Sequence, residues 1–409
     1  MRILILSQWF QPEPAFKGLP FAKALADKKH DVEVLTGFPN YPGGKVYPNY
    51  RVRLWSREIM DGIRVNRVAL YPSHDASAFR RILNYISFAI SSFIIGPWMV
   101  RPPDIIYVFN LITLGPTAFL LRLLYGSRVI LDVQDLWPES VISSRMIKNQ
   151  KVLAVLDKIC RWVYQEADRL VVLSPGFKNV LMERGIKLEK IDVIYNWCDE
   201  SSIHRENQDE SLAKQLGMAE KFNVLFAGTM GIVQGLETVL EAAQICKKMV
   251  PQVQFVFIGG GVTRSNLETR ARDMNLKNVI FLPRHPQAAM GKIFALADAL
   301  LVHLKDDSLF RITVPSKTQA YLYIGKPIIM AVRGDAADLV KQSGAGILCE
   351  PGNPKAIADA VQTLSSMTES ARFAMGASGF NYYMANLSFQ QGIDRFERLM
   401  HLEKNSSPS

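Results

Sequence analysis

Residues 314–329 read VPSKTQAYLYIGKPII. Pro315 followed by Ser316 is a helix start, because Ser can accept a hydrogen bond from a free amide of the first turn. Residues 317–324 then form about two helical turns. Gly325 supplies the left-handed residue past the end, and Pro327 forbids continuation. The apolar run 328–332 reads as a buried parallel strand. The Ser316 end also offers unpaired amides, the positive end of the helix dipole and the Lys317 ammonium, a combination that binds phosphate. An ordinary capped αβ unit has the same sequence, so this stretch speaks first for fold.

The same alternation runs along the whole chain. Short β-branched or Leu-rich runs occur at 3–6, 32–36, 63–68, 105–109, 129–132, 170–173 and 193–195. Helical segments such as 19–29 and 152–167 lie between most of them. The second half repeats the habit at 223–227, 254–258, 279–282, 299–303, 328–332 and 346–349. Alternating strand and helix predicts α/β architecture with two doubly wound parallel sheets. The polar stretch DESSIHRENQDE, 199–210, reads as a linker. The expected domains are therefore 1–198 and 211–380, with a C-terminal helix at about 381–403 packing back on the first. Ligands of such sheets bind beyond the carboxyl ends of the strands, so a cleft between two facing sheets is the expected site.

At 409 residues the chain exceeds what one core holds. Apolar residues make up 48% and charged residues 21%, an ordinary globular balance. Four scattered cysteines with no CxxC fit neither a zinc site nor a disulfide framework, and predict a reducing compartment. The six histidines show no metal spacing. The N-terminal apolar run is too short for a signal peptide, which predicts a cytoplasmic protein.

The net charge is +10, of which residues 1–200 hold +7 (26 Lys and Arg against 19 Asp and Glu). Segment 45–101 carries nine cations (Lys45, Arg51, Arg53, Arg57, Arg64, Arg67, Arg80, Arg81, Arg101) and three acids (Glu58, Asp61, Asp75). Such a patch suits an anionic partner or is a solvated basic face. Residues 82–100, ILNYISFAISSFIIGPWMV, hold no charge. Their length is near a bilayer span, but polar residues and Pro97 dilute them. A helix in the membrane interface and a core helix over the first sheet both fit. The aromatics do not interleave with the cations as in a nucleic-acid stacking module.

Several loops at strand ends carry chemistry. SQWFQPEP from Ser7 follows the first strand, and Gly18 opens the next helix. Asp132, Asp135 and Glu139 in DVQDLWPES follow the strand ending at Leu131. A carboxylate there could accept a proton or hold sugar hydroxyls, and Trp137-Pro138 offers a flat wall; helix capping explains the same residues. In the second half, Gly228-Thr229-Met230-Gly231 and Gln234-Gly235 form a glycine-rich strand-to-helix turn. Gly259-Gly260-Gly261 follows the next strand, and Arg284 follows the third. Each is ordinary alone; their convergence at one sheet edge points to a nucleotide. Neither a Walker pattern nor a metal-binding acid pair is present, so no metal is expected.

Together these segments resemble the retaining glycosyltransferases of family 4, over nearly the whole chain. The likeness lies in the loop after Ser7, DLWPES at 135–140, the Gly228…Gly235 turn, the Gly259 turn and PSKTQAY…GKP. It is strongest to the WbuB-like N-acetyl-L-fucosamine transferases of bacterial O-antigen synthesis, and colanic-acid transferases share the segments. The resemblance implies the GT-B fold: two Rossmann-like domains facing a central cleft, the acceptor on the first and a UDP-sugar on the second. It implies retention of configuration without an essential metal or other cofactor. It implies an undecaprenyl-diphosphate-linked GlcNAc acceptor at the inner face of the bacterial inner membrane, approached through 45–101. The reading assigns Asp135 and Lys317 to catalysis. It assigns Gly18, Gly228, Thr229, Gln234, Gly235, Arg284, Ser316, Thr318 and Gln319 to the nucleotide sugar.

The departures are specific. Two glutamates of the family pattern are Ile312 and Ala320 here, and the usual Arg and Lys of the phosphate turn are Thr229 and Gln234. Ribose and phosphate recognition therefore pass to Lys317, Thr318 and Gln319 in this reading. Two alternatives share the architecture: a sugar-nucleotide 2-epimerase, and a non-catalytic partner in polysaccharide assembly.

Overall fold

The first sheet takes its shape from strands whose residues are apolar on both faces, as in β1 (Arg2–Leu6) and β5 (Ile105–Phe109). Such strands require cover on both sides and belong in parallel sheets. The computed structural model describes residues 1–73, 78–139 and 149–405. Its first unit comprises Met1–Leu173, Phe177–Ile194 and Ile393–Ser409, and its second Ser174–Gly176 and Tyr195–Gly392. The remaining strands of the first unit are β2 (Asp31–Gly37), β3 (Trp55–Met60), β4 (Ile63–Val68), β6 (Arg128–Val133), β7 (Arg169–Val172) and β8 (Ile191–Val193). Their order is β3-β4-β2-β1-β5-β6-β7-β8. Every neighbour is parallel except β3, which pairs antiparallel with β4.

The edge strand β3 is absent from the pattern of apolar runs because its residues alternate in exposure. Its signal was Asp61-Gly62, both at positive φ (47° and 85°), the dipeptide of a tight hairpin.

Helices α1 (Leu19–Asp27), α2 (Ala78–Met99), α3 (Gly115–Tyr125) and α4 (Gln150–Glu166) cover this sheet. Right-handed crossovers put α2, α3 and α4 on one face, since all three advance the chain in one direction across the sheet. α1 advances it the other way and lies on the opposite face. One side of α2 is stitched down. Its buried Asn84 accepts from Gln8 at 2.5 Å and donates to Asn40 (3.3 Å) and the Tyr71 carbonyl (2.7 Å). Ser92 meets Thr117 of α3 at 3.0 Å. The uncharged stretch 82–100 is thus a core helix on one side and exposed on the other.

Part of the basic stretch is structural. Arg67 is buried and holds Glu58 and the carbonyls of Gly37 and Gln11. Arg57 donates to Asn66 and the Met99 carbonyl, and Arg101 pairs with Asp31 and Glu33. Asp75 lies outside the described residues.

The helix read at 381–403 is two helices, Glu369–Asn386 and Phe389–Asn405. From Ile393 onward the second belongs to the first unit. Phe396 packs edge-on against Phe21 (5.3 Å) and Tyr107 (5.5 Å). Lys28 grips Asp394 (2.8 Å) and Glu397 (2.7 Å).

The second unit carries β9 (Phe222–Ala227), β10 (Val253–Ile258), β11 (Val279–Leu282), β12 (Ala299–His303), β13 (Ile328–Ala331) and β14 (Gly346–Leu348). They form one parallel sheet in the order β11-β10-β9-β12-β13-β14. The order reverses between β9 and β12, where such sheets open a crevice at their carboxyl edge. Helix α5 (Glu237–Met249) joins β9 to β10, and α6 (Ser316–Ile324) lies between β12 and β13. The stretch 199–210 belongs to this unit. Asp199 accepts from Ser201 and Ser202 (2.7 Å each), which fixes its first turn.

Phe396→Ala should destabilise the first unit by about 3 kcal/mol, because a fully buried ring is removed from between two others. Urea unfolding followed by fluorescence checks this, and a change below about 1 kcal/mol would mean the helix contributes little.

Candidate nucleotide-sugar site

Two turns at the carboxyl edge of the second sheet interlock through their backbones. Gly228 follows β9 at φ 139°, and Gly259 and Gly261 follow β10 at 133° and 149°. A Cβ on Gly259 would stand 2.1 Å from the Gly228 carbonyl oxygen, and one on Gly261 2.3 Å from that of Met230. Both are impossible, so both positions require glycine. The turns are joined by Gly228 N–H to the Ile258 carbonyl (2.9 Å) and Met230 N–H to that of Gly260 (2.8 Å). Thr263 donates its hydroxyl to the Met230 carbonyl at 2.9 Å. The exposed edge of this double turn borders a cavity of about 610 Å³. Its lining includes Gly228, Thr229, Gly260, Arg284 and His285. The size is that of a small-ligand site.

Helix α6 brings a cation to this edge. Gly325 closes it at φ 74°, as the sequence predicts, but its N-cap is Pro315 and no side chain caps it. Ser316 is the exposed first residue of the helix rather than its cap. Lys317 Nζ lies 3.2 Å from where a Gly228 Cβ would stand and 3.7 Å from the Phe226 ring centroid. It is buried and makes no hydrogen bond among the described residues. Burial alone pushes the ammonium down to about 7. A buried cation without a partner is costly, and an arriving anion would supply what is missing.

Four residues from Lys317, on the same side of the helix, Tyr321 accepts from the Ala227 N–H at 2.9 Å. This tether fixes α6 against the end of β9. The sequence reading missed Tyr321, although the i, i+4 spacing marks it.

The other expected residues are placed as follows. Thr318 and Gln319 are buried in α6. The Gln319 amide donates to the carbonyls of Pro315 (2.9 Å) and Ser316 (3.2 Å). The Gln319 amide is thus spent within its own helix, whereas the buried Thr318 hydroxyl has no hydrogen-bond partner among the described residues. Gln234 turns inward and accepts from Gly231 N–H at 2.9 Å, closing its own turn. Gly235 stands at φ 56°, tight against His303. His303 was not singled out by sequence. It donates from Nδ1 to the Gln234 carbonyl (2.6 Å) and accepts from Gly352 N–H at Nε2 (3.2 Å), a neutral ring held by burial below its ordinary pKa. Arg284 is exposed on the cavity wall, and its neighbour His285 has a buried Nε2 without a hydrogen-bond partner among the described residues. A separate cavity of about 410 Å³ touches Lys326 and Pro327, at the amino ends of the strands, where sheets of this kind do not bind ligands.

Gly18 and Asp135 lie in the first unit. The Gln11 side chain crosses directly over Gly18 and caps the Leu19 N–H of α1 at 2.5 Å. Gly18 is therefore explained by packing. Asp132 is wholly buried and accepts from Lys17, Tyr107 and Gln134. Asp135 is solvent-exposed, while the surrounding protein raises its carboxyl above the usual range. Near it in this unit, Trp9 meets Tyr41 (5.7 Å) and Tyr85 (6.1 Å) in an aromatic corner. Glu13 fixes the corner by accepting the N–H groups of Asn40 and Tyr41 at 2.6 Å each. Trp137 gives its carbonyl to Arg184, which also pairs with Glu139. Ser140 lies outside the described residues. His30 joins the i, i+4 pair Glu397 and His401, bringing ligand atoms within 4.8 Å of one another. Lys28 already holds that glutamate.

Residues 207–378 match the family model "Glycosyl transferases group 1", and 19–197 match "Glycosyl transferase 4-like domain". The chain belongs to the group 1 glycosyltransferases. It is 29% identical to WcaI of Escherichia coli, named for colanic acid biosynthesis, across 80% of this chain and 82% of that one. It is 26% identical to WbjE of Pseudomonas aeruginosa, named as a glycosyltransferase, across 61% and 62%. Among solved structures it resembles an Escherichia coli one described as trehalose-6-phosphate bound with UDP-2-fluoro glucose. There the TM-score is 0.73 with 14% identity over the whole of both chains. The fold of this glycosyltransferase is GT-B, with two Rossmann-like α/β units.

Lys317→Met should stabilise the free enzyme by about 1–3 kcal/mol, because a buried cation without a partner is removed. The same change should abolish the thermal stabilisation given by UDP. In the wild type, UDP binding should take up close to one proton at pH 8 and almost none at pH 6, since the free ammonium sits near 7 and a diphosphate raises it. Calorimetry in two buffers of different ionisation enthalpy reads this; equal heats at pH 8 would take Lys317 away from the phosphates.

Proposed function

We propose that this glycosyltransferase moves a deoxyaminosugar, N-acetyl-L-fucosamine from UDP, onto a lipid-diphosphate-linked GlcNAc in O-antigen or capsule repeat-unit assembly. The partnerless Lys317 ammonium beside the Gly228 turn carries the donor half of this reading. It is a vacant counter-charge at a helix N-terminus, and a nucleotide diphosphate fits it. The sugar and the acceptor rest on the WbuB-like segments and on the colanic acid biosynthesis in the name of WcaI. The reaction is family 4 chemistry with retention and without an essential metal. It takes place at the cytoplasmic face of the inner membrane, where an undecaprenyl-diphosphate acceptor is held.

In this mechanism the bond from the anomeric carbon to the UDP oxygen breaks, and the acceptor hydroxyl oxygen bonds to the same face of that carbon. The hydroxyl proton passes to the leaving diphosphate. Lys317, the amides at Ser316 and Gly228-Thr229, and Arg284 stabilise the charge that grows on the phosphate. Asp135 orients the acceptor hydroxyl, and the Trp9–Tyr41–Tyr85 corner gives its sugar ring an apolar wall.

The test is purified full-length enzyme with UDP-, GDP- and dTDP-sugars, with and without a short-chain prenyl-diphosphate GlcNAc. The expected product is a disaccharide on the prenyl diphosphate and free UDP. Lys317→Ala should lower kcat/KM about 100-fold or more. Conversion of the UDP-sugar with no acceptor would show an epimerase. Unchanged transfer by Lys317→Ala in membrane extracts would favour the non-catalytic reading, to which the absence of glutamates at Ile312 and Ala320 belongs.

A further inference from the structure

Among the described residues, the first unit leaves an apolar face without cover. On α2, Phe79, Leu83, Ile86, Ile90 and Trp98 recur at helical spacing and all are exposed, Trp98 by 88%. This is the side of the helix opposite Asn84 and Ser92. The face does not end with α2. α3 lies beside it, bonded through Ser92–Thr117 and through Tyr125 to the Pro97 carbonyl (2.7 Å), and presents Leu123 at 82% exposure. α4 lies beside α3, with Trp162 edge-on to Phe119 at 5.3 Å, and shows a second stripe of Val152, Val155, Ile159 and Trp162. On the far side of α2, Arg57 of β3 reaches the Met99 carbonyl. The alternation of a strand then puts Trp55 and Ile59 on the same side, both exposed. Four elements thus share one apolar face, and it holds three of the six tryptophans.

Charge decides what covers it. Lys151 and Lys158 stand exposed on α4 and make no ion pair among the described residues. The nearby acids are already taken: Asp157 by Arg161, Glu166 by Arg122 and Asp61 by Lys23. A second copy meeting this face would set unpaired cations against unpaired cations. An anionic bilayer instead offers hydrocarbon to the stripes, headgroup phosphates to the rim, and the boundary that tryptophan favours.

We infer that the β3–α2–α3–α4 face docks the enzyme flat on an anionic bilayer, with the α2 and α4 stripes in the interface. This deepens the membrane-acceptor reading above by naming its surface. It rests on the first unit alone and stands whatever sugar is transferred. It also moves the lipid contact beyond the basic stretch 45–101, because Leu123, Trp162 and the α4 lysines lie outside that stretch.

The experiment is co-sedimentation of the full chain with phosphatidylcholine vesicles, with and without phosphatidylglycerol, in the absence of donor and acceptor. The wild type should pellet with the anionic vesicles and release with added salt. Trp98→Ser with Leu123→Ser should weaken binding about tenfold or more. Lys151→Glu with Lys158→Glu should remove the preference for anionic lipid. All are exposed positions, and UDP binding by calorimetry should be unchanged in each variant. Wild-type protein remaining in the supernatant with both vesicles would overturn the inference. So would a wild-type dimer that the Trp98→Ser, Leu123→Ser variant breaks, which would assign the face to a second copy. Failure of transfer with vesicle binding intact would count against the reaction and not against the face.

Discussion

The donor half of this enzyme depends on one steric constraint: two turns packed backbone to backbone with no space for a Cβ. Gly228, Gly259 and Gly261 are all at positive φ, and two of them touch carbonyls of the opposing turn. The loops cannot separate without losing the paired backbone bonds. They therefore form a rigid rim on a rigid sheet, and rigidity lets a site hold charge without reorganising around it. A glycine-rich loop is often read as flexible. Here the glycines are what allow close packing.

That rim gives meaning to Lys317. An exposed lysine would be hydrated and indifferent to the turn. This one stands over the Phe226 ring with its ammonium desolvated, and Tyr321 ties the same side of the helix to Ala227. The free protein keeps a destabilising group in place, and the proposed donor diphosphate would offset it. Stability and binding are opposed at this position. The opposition separates it from His303, whose two ring nitrogens are both bonded within the fold.

The fold was legible because alternating strand and helix in a long chain has few packings, and the strand ends located the glycine turns. Individual side chains were less legible. Gln319 looks like a ligand in a polar run, SKTQ, but a helix turns about 100° per residue, and its amide closes on the carbonyls of its own first turn. α6 is buried on several sides, so polarity does not mark which side faces the rim. Gln234 looks like a phosphate ligand in a glycine loop, but a three-residue turn has its own unsatisfied amide, and the nearer partner wins. β3 escaped notice because an edge strand need not be apolar, while its Asp-Gly turn was visible throughout. The meeting of His30 with Glu397 and His401 was beyond sequence reasoning, since more than 360 positions separate it from that i, i+4 pair.

The first unit shows how environment divides similar residues. Asp132 and Asp135 are three positions apart at the end of one strand. Lys17 and Tyr107 enclose Asp132 completely, and so dense a set of partners leaves no capacity for a substrate. Asp135 has no such set and remains open to solvent. The same division runs along α2. Its Asn84 side belongs to a closed network with Gln8 and Asn40, which supports the aromatic corner at Trp9 and Tyr41. Its opposite side is finished with isoleucine, phenylalanine and tryptophan that nothing among the described residues covers. A helix built only to cover a sheet has no need of that second side. Apolar area left in water on four neighbouring elements is a standing cost, and a partner outside the chain is the physical reason it persists.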